Sequence, residues 1–246
     1  MKLSNNTVFI TGGASGIGLA LAKAFIARNN KVIICGRNQD KLEKVKNEVP
    51  GLLAVQCDVT NGEDIRKMIG YFALQDLNTN ILVNNAGIQY RYDFLSESNA
   101  TDKIREEIEI NFISVANLTY RLLPLLKKSP QAAIVNISSF LGIVPKGSAP
   151  VYCATKAALH AFSKALRYQL RHTSIKVFEV LTPLVDTDMT KGREDDAGKI
   201  SPDALTSSIL RGIEGDRYEI RPGKAKVVLL LNRLFPSLIE KVIRKR

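Results

Sequence analysis

The sequence predicts an α/β fold in which helices cover both faces of one mostly parallel, seven-stranded sheet. Short runs of β-branched and apolar residues alternate with amphipathic helical segments from the N-terminus onward, as is typical of repeated β-α-β units. The 246 residues, 45% of them hydrophobic and 24% charged, are also enough for one large soluble domain. We therefore interpret residues 1–246 as a single doubly wound domain.

The first strand, residues 7–11, leads into a glycine-rich turn and then a helix. The turn, TGGASGIG, occupies residues 11–18. Glycines let a backbone approach a phosphate closely, and the first turn of a helix presents free N–H groups with partial positive charge. A glycine turn between a strand and a helix therefore predicts a site for a dinucleotide pyrophosphate.

The end of the second strand, residues 31–36, indicates which dinucleotide binds. An acidic residue at this position holds the ribose 2′-hydroxyl of NAD, whereas an arginine accommodates the 2′-phosphate of NADP. The strand ends without a carboxylate and Arg37 follows at once, while Asp40 suits the first turn of the next helix. We therefore predict NADP(H), with NAD(H) as the alternative if Arg37 is only a solvated loop residue.

The third and fourth strands, residues 52–57 and 81–83, also end in polar residues. Asp58 is expected either to accept a hydrogen bond from an adenine amino group or to cap the following helix. The sequence NNAG at residues 84–87 is expected to stiffen the floor of the dinucleotide site, although it also suits a plain turn.

A long helix is predicted over residues 101–128, with Pro124 expected to kink or end it. Asn111 lies in the middle of that helix between apolar neighbours. A buried asparagine is unfavourable there unless its amide has partners. We expect Asn111 either to cap a local kink or to hold a water on a proton path to Lys156.

The fifth strand, residues 132–137, runs into Ser138 and Ser139, and a helix follows. Tyr152 and Lys156 are four residues apart, so they lie on one face of that helix. The ammonium group favours the phenolate, which lowers the tyrosine pKa from its usual value of about 10 and suits proton transfer. A Tyr-Lys pair on its own is usually two surface residues. The dinucleotide-binding turn predicted in the same chain favours a catalytic pair here.

The C-terminal third begins with a sixth strand over residues 176–181. The polar residues 184–202 are a candidate active-site lid, and together with residues 88–100 they are expected to shape a substrate pocket. A helix over residues 202–213, a short strand near Tyr218 and a basic helix over residues 224–246 complete the chain.

The net charge and the histidine and cysteine content limit the partners, metals and compartment that we expect for this protein. Residues 217–246 hold nine Lys or Arg against two Glu and so supply +7 of the net charge of +11, but no nucleic-acid-binding signature accompanies them. We expect no nucleic acid as a partner, with an anionic membrane surface as the minor alternative for the basic helix.

The histidines lack metal-ligand spacing, so no metal is expected. Three cysteines without metal or redox spacing, and no signal peptide or membrane span, predict a cytoplasmic protein.

Together these motifs resemble those of the short-chain dehydrogenases/reductases over nearly the whole chain. The family has TGxxxGxG where residues 11–18 lie and NNAG at residues 84–87. Its four catalytic positions correspond to Asn111, Ser139, Tyr152 and Lys156. Ser139 is preferred to Ser138 because it stands 13 residues before the tyrosine. Within the family, the N-terminal stretch and the segments VYCATKAALHAF and TPLVDTDM are most similar to oxidoreductases encoded beside lipoteichoic-acid D-alanylation genes.

The resemblance implies a Rossmann fold and hydride transfer between NADP(H) and a carbonyl or alcohol carbon. Tyr152 would exchange the proton, Lys156 would hold the nicotinamide ribose, and Ser139 would orient the carbonyl. Asn111 would keep a relay water. The residues implied to contact the cofactor are Gly12, Ser15, Gly16, Ile17, Gly18, Arg37, Asp58, Val59, Asn85, Ala86, Gly87, Tyr152, Lys156, Pro183, Val185 and Thr187.

Two further expectations follow from the resemblance, and one alternative function is set against it. Leu184 replaces a glycine that the family usually has after Pro183, which stiffens the start of the lid. A homodimer or homotetramer is implied, built partly from the helices at 101–128 and 151–172. The alternative function is a cofactor-binding sensor or scaffold with little turnover, although such a protein has no need for the complete Ser-Tyr-Lys set.

Overall fold

The computed structural model describes residues 1–192 and 199–243. Its strands are β1 Thr7–Thr11, β2 Lys31–Gly36, β3 Leu52–Gln56, β4 Ile81–Asn84, β5 Ala132–Ser139, β6 Ile175–Thr182 and β7 Glu219–Ile220. Its helices are α1 Gly16–Ile26, α2 Gln39–Glu48, α3 Gly62–Leu74, α4 Ala100–Ile108, α5 Ser114–Leu126, α6 Pro150–Gln169, α7 Pro202–Glu214, α8 Lys224–Leu234 and α9 Pro236–Ile243.

The strands form one parallel sheet in the order β3-β2-β1-β4-β5-β6-β7. Successive side chains of β1 enter different apolar layers, Val8 and Ile10 on one face and Phe9 on the other. The predicted doubly wound seven-stranded sheet is therefore confirmed. The direction of winding reverses between β1 and β4, and the crevice outside their carboxyl ends is where such sheets bind ligands.

The predicted helix over residues 101–128 is not one continuous α-helix. The π-helical segment Glu109–Ile113 joins α4 to α5 and contains Asn111. Single π-helical turns occur frequently at functional sites, and this one supports the local distortion expected around the asparagine. Pro124 lies inside α5, which ends two residues later.

The basic segment predicted as one helix forms two helices within its described residues, α8 and α9. Phe235 separates them, and Pro236 opens the second because proline lacks the N–H that a helix interior needs. Both helices pack onto the core through a small apolar cluster of Val144, Leu181, Leu229, Ile239 and Ile243. No helix of the described residues is long and apolar enough to cross a membrane.

Candidate active site

The glycine turn is packed as a phosphate site requires. Gly12 and Gly16 adopt left-handed conformations, with φ of +63° and +51°, which side chains disfavour. A Cβ on Gly18 would lie 2.4 Å from the Gly12 carbonyl oxygen, so Gly18 holds α1 against the turn. Ser15 precedes α1 without capping it through its side chain, which leaves N–H groups of the first helical turn available to an anion.

Asn85 fastens the loop after β4 to the glycine turn. Its Nδ2 donates hydrogen bonds to the carbonyl oxygens of Thr11 and Gly12, at 2.9 and 3.1 Å. The Thr11 hydroxyl in turn accepts the backbone N–H groups of Asn85 and Ala86, both at 3.0 Å. The NNAG sequence is therefore more than a plain turn, because it locks together the two loops at the winding reversal.

A cleft of about 290 Å³ runs along the carboxyl ends of the strands and is called the strand-end cleft below. Thirteen of the sixteen residues expected at the cofactor line it: Gly12, Ser15, Gly16, Ile17, Arg37, Asp58, Val59, Asn85, Ala86, Gly87, Tyr152, Lys156 and Thr187. Gly18 packs behind the turn, and Pro183 and Val185 line a neighbouring cavity instead. Sequence reasoning missed Cys35 and Cys57, although both end or follow strands whose carboxyl ends face the cleft.

Arg37 and Asp58 line the strand-end cleft where β2 and β3 end. The Arg37 side chain is 58% exposed, and its Nη1 lies 3.7 Å from Glu106 Oε1. Asp58 Oδ1 accepts both the backbone N–H and the hydroxyl of Thr60. The cap of α3 is Asn61, so Asp58 shapes the preceding turn rather than capping the helix.

Tyr152 and Lys156 lie on the first turns of α6, facing β5. Lys156 is 5% exposed, and its Nζ donates a 2.9 Å hydrogen bond to the Ile137 carbonyl oxygen. The same nitrogen lies 5.6 Å from the centre of the Tyr152 ring. Burial lowers the pKa of Lys156 to about 8, and the nearby charge of Glu179 opposes this shift.

The two adjacent serines face different cavities because successive strand side chains point in opposite directions. Ser138 lines the strand-end cleft, whereas Ser139 lines the neighbouring cavity together with Tyr152. Ser139 Oγ accepts the Leu141 N–H at 3.2 Å. A Cβ on Gly142 would lie 2.6 Å from the Lys156 carbonyl carbon, so the loop after Ser139 packs directly on α6.

Asn111 is fully buried and connects three parts of the site. Its Oδ1 accepts the Ile88 N–H, and its Nδ2 donates to the Ile88 carbonyl oxygen, both at 2.9 Å. The same Nδ2 lies 3.2 Å from Thr155 Oγ1 on α6. The amide therefore ties the π-helical segment to the loop after β4 and to the helix that carries Tyr152 and Lys156.

The neighbouring cavity, about 340 Å³ in volume, is called the side cavity below. It meets the strand-end cleft at Tyr152 and at four residues that line both spaces: Ile17, Thr182, Thr187 and Met189. The rest of its wall is mostly apolar, with Lys146 and Lys224 as its charged residues within the described chain. The α8 residues Ala225 and Val228 form part of the wall.

The candidate lid, residues 184–202, contributes to both spaces through its described part. Its two ends are pinned together, since Asp186 N–H donates to the Ile200 carbonyl oxygen and Ile200 N–H donates to that of Leu184. Thr187 lies against Gly16 of the glycine turn. Residues 193–198 lie outside the described part of the chain. Residues 88–100 contribute less than expected, because Gln89 is their one residue in the side cavity.

The described residues contain no group of three His, Cys, Asp or Glu side chains that could hold a metal ion. His160 instead pairs with buried Glu179, whose Oε2 lies 2.7 Å from its Nδ1.

Comparison with known proteins gives consistent matches. The family described as short chain dehydrogenase matches residues 6–198. The chain is 43% identical over 225 residues to "Uncharacterized oxidoreductase DltE" of Bacillus subtilis, covering 89% of each chain, which confirms the closer resemblance as well. A short chain dehydrogenase from Burkholderia cenocepacia, solved in complex with NADP, is 25% identical with a TM-score of 0.86, covering 99% of each chain.

A second solved structure matches a smaller part of the chain. The 3-ketoacyl-(acyl-carrier-protein) reductase from Brucella melitensis, complexed with NADH, is 25% identical with a TM-score of 0.78 and covers 86% of this chain and 91% of its own. Similar proteins therefore include ones that hold NADP and ones that hold NADH.

Proposed function

Because this chain belongs to the short-chain dehydrogenase family, we propose that it transfers hydride between NADP(H) and a carbonyl or alcohol carbon of a small molecule. The observation that carries this proposal is the position of Tyr152, which lines both the strand-end cleft and the side cavity. A phenol at that boundary can exchange a proton with a substrate oxygen in the side cavity, and the residues of the strand-end cleft would hold the nicotinamide cofactor.

In the reductive direction, NADPH held by the residues of the strand-end cleft would supply the hydride that the carbonyl carbon accepts. Tyr152 donates its hydroxyl proton to the carbonyl oxygen, so the product leaves as a neutral alcohol. Lys156, as an ammonium group 5.6 Å from the phenol ring centre, stabilises the phenolate left behind. Ser139 orients the carbonyl through its hydroxyl, and Asn111 keeps the relay that returns a proton to the site.

Replacing Tyr152 by Phe tests this role, because the change removes one hydroxyl group. We expect NADPH-dependent reduction to fall by at least about 100-fold, while NADPH affinity in a fluorescence titration stays near that of the wild type. Tyr71→Phe is the matched control, since this tyrosine lies on α3, is 36% exposed and lines neither cavity. Normal turnover by Tyr152→Phe would contradict the proton-donor role. NADPH binding without turnover of any ketone, aldehyde or sugar derivative would favour the sensor or scaffold instead.

The preference for NADP(H) rests on Arg37. The described residues offer no carboxylate at the end of β2, and Arg37 lines the cleft there. Glu106 competes for the guanidinium at 3.7 Å. Arg37→Ala should therefore raise the KM for NADPH about tenfold and leave that for NADH nearly unchanged. Glu106→Gln should strengthen the NADPH preference, and a wild type that prefers NADH would refute the assignment.

The walls of the side cavity support an apolar carbonyl substrate that carries an anionic group. Lys224, the first residue of α8, is exposed and lies on the wall of the side cavity. Two ketones that differ only in a carboxylate test this. Lys224→Gln should raise the KM for the carboxylated ketone about tenfold without affecting the neutral one. An equal change in KM for both ketones would exclude a contact between Lys224 and the carboxylate.

A homodimer or homotetramer in the cytoplasm is part of the same proposal. Ile113 and Tyr120 on the α4–α5 unit and Tyr168 on α6 are exposed apolar residues on the helices expected to form the interface. All three cysteines are free thiols, as suits a reducing compartment. Light scattering of the purified protein would give the subunit number, and a monomer would refute the assembly.

A further inference from the structure

The last two helices carry an apolar face that the protein core does not cover. Six large apolar side chains between residues 227 and 238 are 37–60% exposed. They are Val227, Leu230, Leu231, Leu234, Phe235 and Leu238. Several large apolar side chains exposed within twelve residues are more than the single exposed residues that are normal on a protein surface, and exposed apolar patches mark interaction sites. We call it the C-terminal apolar stripe.

Helix α8 is apolar on two opposite faces. Successive residues of an α-helix are rotated by about 100°, so Ala225 and Leu229 share one face, and both are buried. Val228, beside them, lines the side cavity. Val227 and Leu234 project from the far side of the helix and are 55% and 59% exposed. One face therefore attaches α8 to the protein, and the other is presented outward.

Basic residues border the C-terminal apolar stripe on both sides. By the same rotation, Lys226 and Arg233 follow one edge of the stripe on α8 and Lys224 follows the other, and all three are exposed. Residues 224–246 contain seven Lys or Arg and one Glu, a net charge of +6. An apolar stripe flanked by exposed basic side chains is the pattern of helices that lie in the interface of an anionic bilayer.

We propose that α8 and α9 bind the surface of an anionic lipid bilayer through this stripe. The apolar side chains would enter the headgroup region, and Lys226 and Arg233 would lie on lipid phosphates. A second copy of the chain is a poorer occupant, because a two-fold contact through the stripe would bring the basic side chains of both copies together. A bilayer supplies an apolar layer and negative charge at once.

The position of α8 gives this docking a consequence for the substrate site. Ala225 and Val228 line the side cavity from the inner face of the same helix that carries the stripe outside. Docking would therefore set the side cavity one helix away from the lipid. This consequence rests on the proposed function, whereas docking itself does not.

Vesicle flotation at low salt tests the docking with the full chain. Wild type should float with vesicles of equal parts phosphatidylglycerol and phosphatidylcholine, and not with phosphatidylcholine alone. Lys226→Gln with Arg233→Gln should weaken the partition about 30-fold, since each basic residue contributes about a fivefold attraction. Leu234→Gln with Leu238→Gln should weaken it by at least about tenfold.

Two control variants test whether binding depends on this face and not on total positive charge or on exposed leucines elsewhere. Lys127→Gln with Lys128→Gln removes the same charge from the exposed end of α5, and Leu74→Gln with Leu95→Gln changes leucines that are 84% and 98% exposed. Both controls should float like the wild type. NADPH binding verifies folding of every variant.

Three results would overturn the proposal. The first is that the wild type does not bind anionic vesicles, and the second is that the control variants lose flotation as much as the α8 variants do. The third is that the Leu234→Gln, Leu238→Gln protein has a lower oligomeric mass than the wild type in light scattering. The last would make the stripe an interface between copies of the chain.

Discussion

Lys156 should set the alkaline limit of NADPH-dependent reduction. The residue is 5% exposed, and burial lowers its pKa from 10.5 to about 8. The positive charge is therefore present below pH 8 and is lost as the pH rises through that value. If catalysis needs the cation beside Tyr152, then kcat/KM for NADPH must fall on the alkaline side of pH 8, because kcat/KM reports ionisations of the free enzyme.

The size of this fall follows from the fraction of Lys156 that stays protonated. A group with a pKa of about 8 is about nine-tenths protonated at pH 7 and about one-tenth at pH 9, so kcat/KM should drop about tenfold between them. A lysine with its ordinary pKa of 10.5 would remain almost fully charged over that range. Initial rates at low NADPH, measured from pH 6.5 to pH 10 at constant ionic strength, distinguish the two cases.

Glu179 provides an internal check on the same reasoning. Its charge raises the pKa of Lys156, so Glu179→Gln should move the alkaline limb to lower pH. His160→Gln keeps the carboxylate and should not move the limb in that direction. A wild-type profile that stays flat to pH 10, or a limb that moves upward in Glu179→Gln, would refute the assignment of the limb to Lys156.

Three further predictions concern the scaffold of the site. Gly18→Ala would bring a methyl group to 2.4 Å from the Gly12 carbonyl oxygen, so it should weaken NADPH binding and lower the free energy of unfolding in urea by about 1–3 kcal/mol; wild-type values for both would contradict the close packing. Asn111→Ala leaves the backbone groups of Ile88 unpaired and should cost about 1–3 kcal/mol by the same measurement, with an unchanged unfolding curve as the opposing result. The Glu179 hydrogen bond raises the pKa of His160 above 6.5, so this stabilisation is complete below pH 6.5 and is lost as the pH rises through the raised pKa. The Tm difference between wild type and His160→Gln should accordingly shrink toward alkaline pH, and a constant difference would exclude the linkage.

Much of the fold could be predicted because its signals are local. The alternation of apolar strands with amphipathic helices depends on side-chain periodicity within each segment, and it predicted all seven strands. Parallel strands bring their carboxyl ends to one edge. Motifs that follow β1, β2, β3 and β4 could therefore be expected in one cleft, and most of them lie there.

Other features depend on contacts between segments far apart in the chain. The π-helical segment forms where the buried Asn111 amide reaches Ile88, 23 residues earlier. A buried chain of polar side chains also passes beneath the site, with Asn84 donating to Asn136 and Asn136 donating to Ser163. The residue type at one position cannot indicate such partners, because burying one amide is favourable only when the side chain that it bonds to is also in place.

The sheet, the glycine turn and the spacing of Tyr152 and Lys156 follow from local patterns in the sequence, because strand period, helix period and glycine conformation are properties of neighbouring residues. Packing between distant segments sets which serine faces which cavity and how deeply Lys156 is buried. It also makes α8 close the side cavity with one face and present the C-terminal apolar stripe with the other. Burial and cavity walls arise where distant segments exclude water together, and that packing is absent from any local pattern.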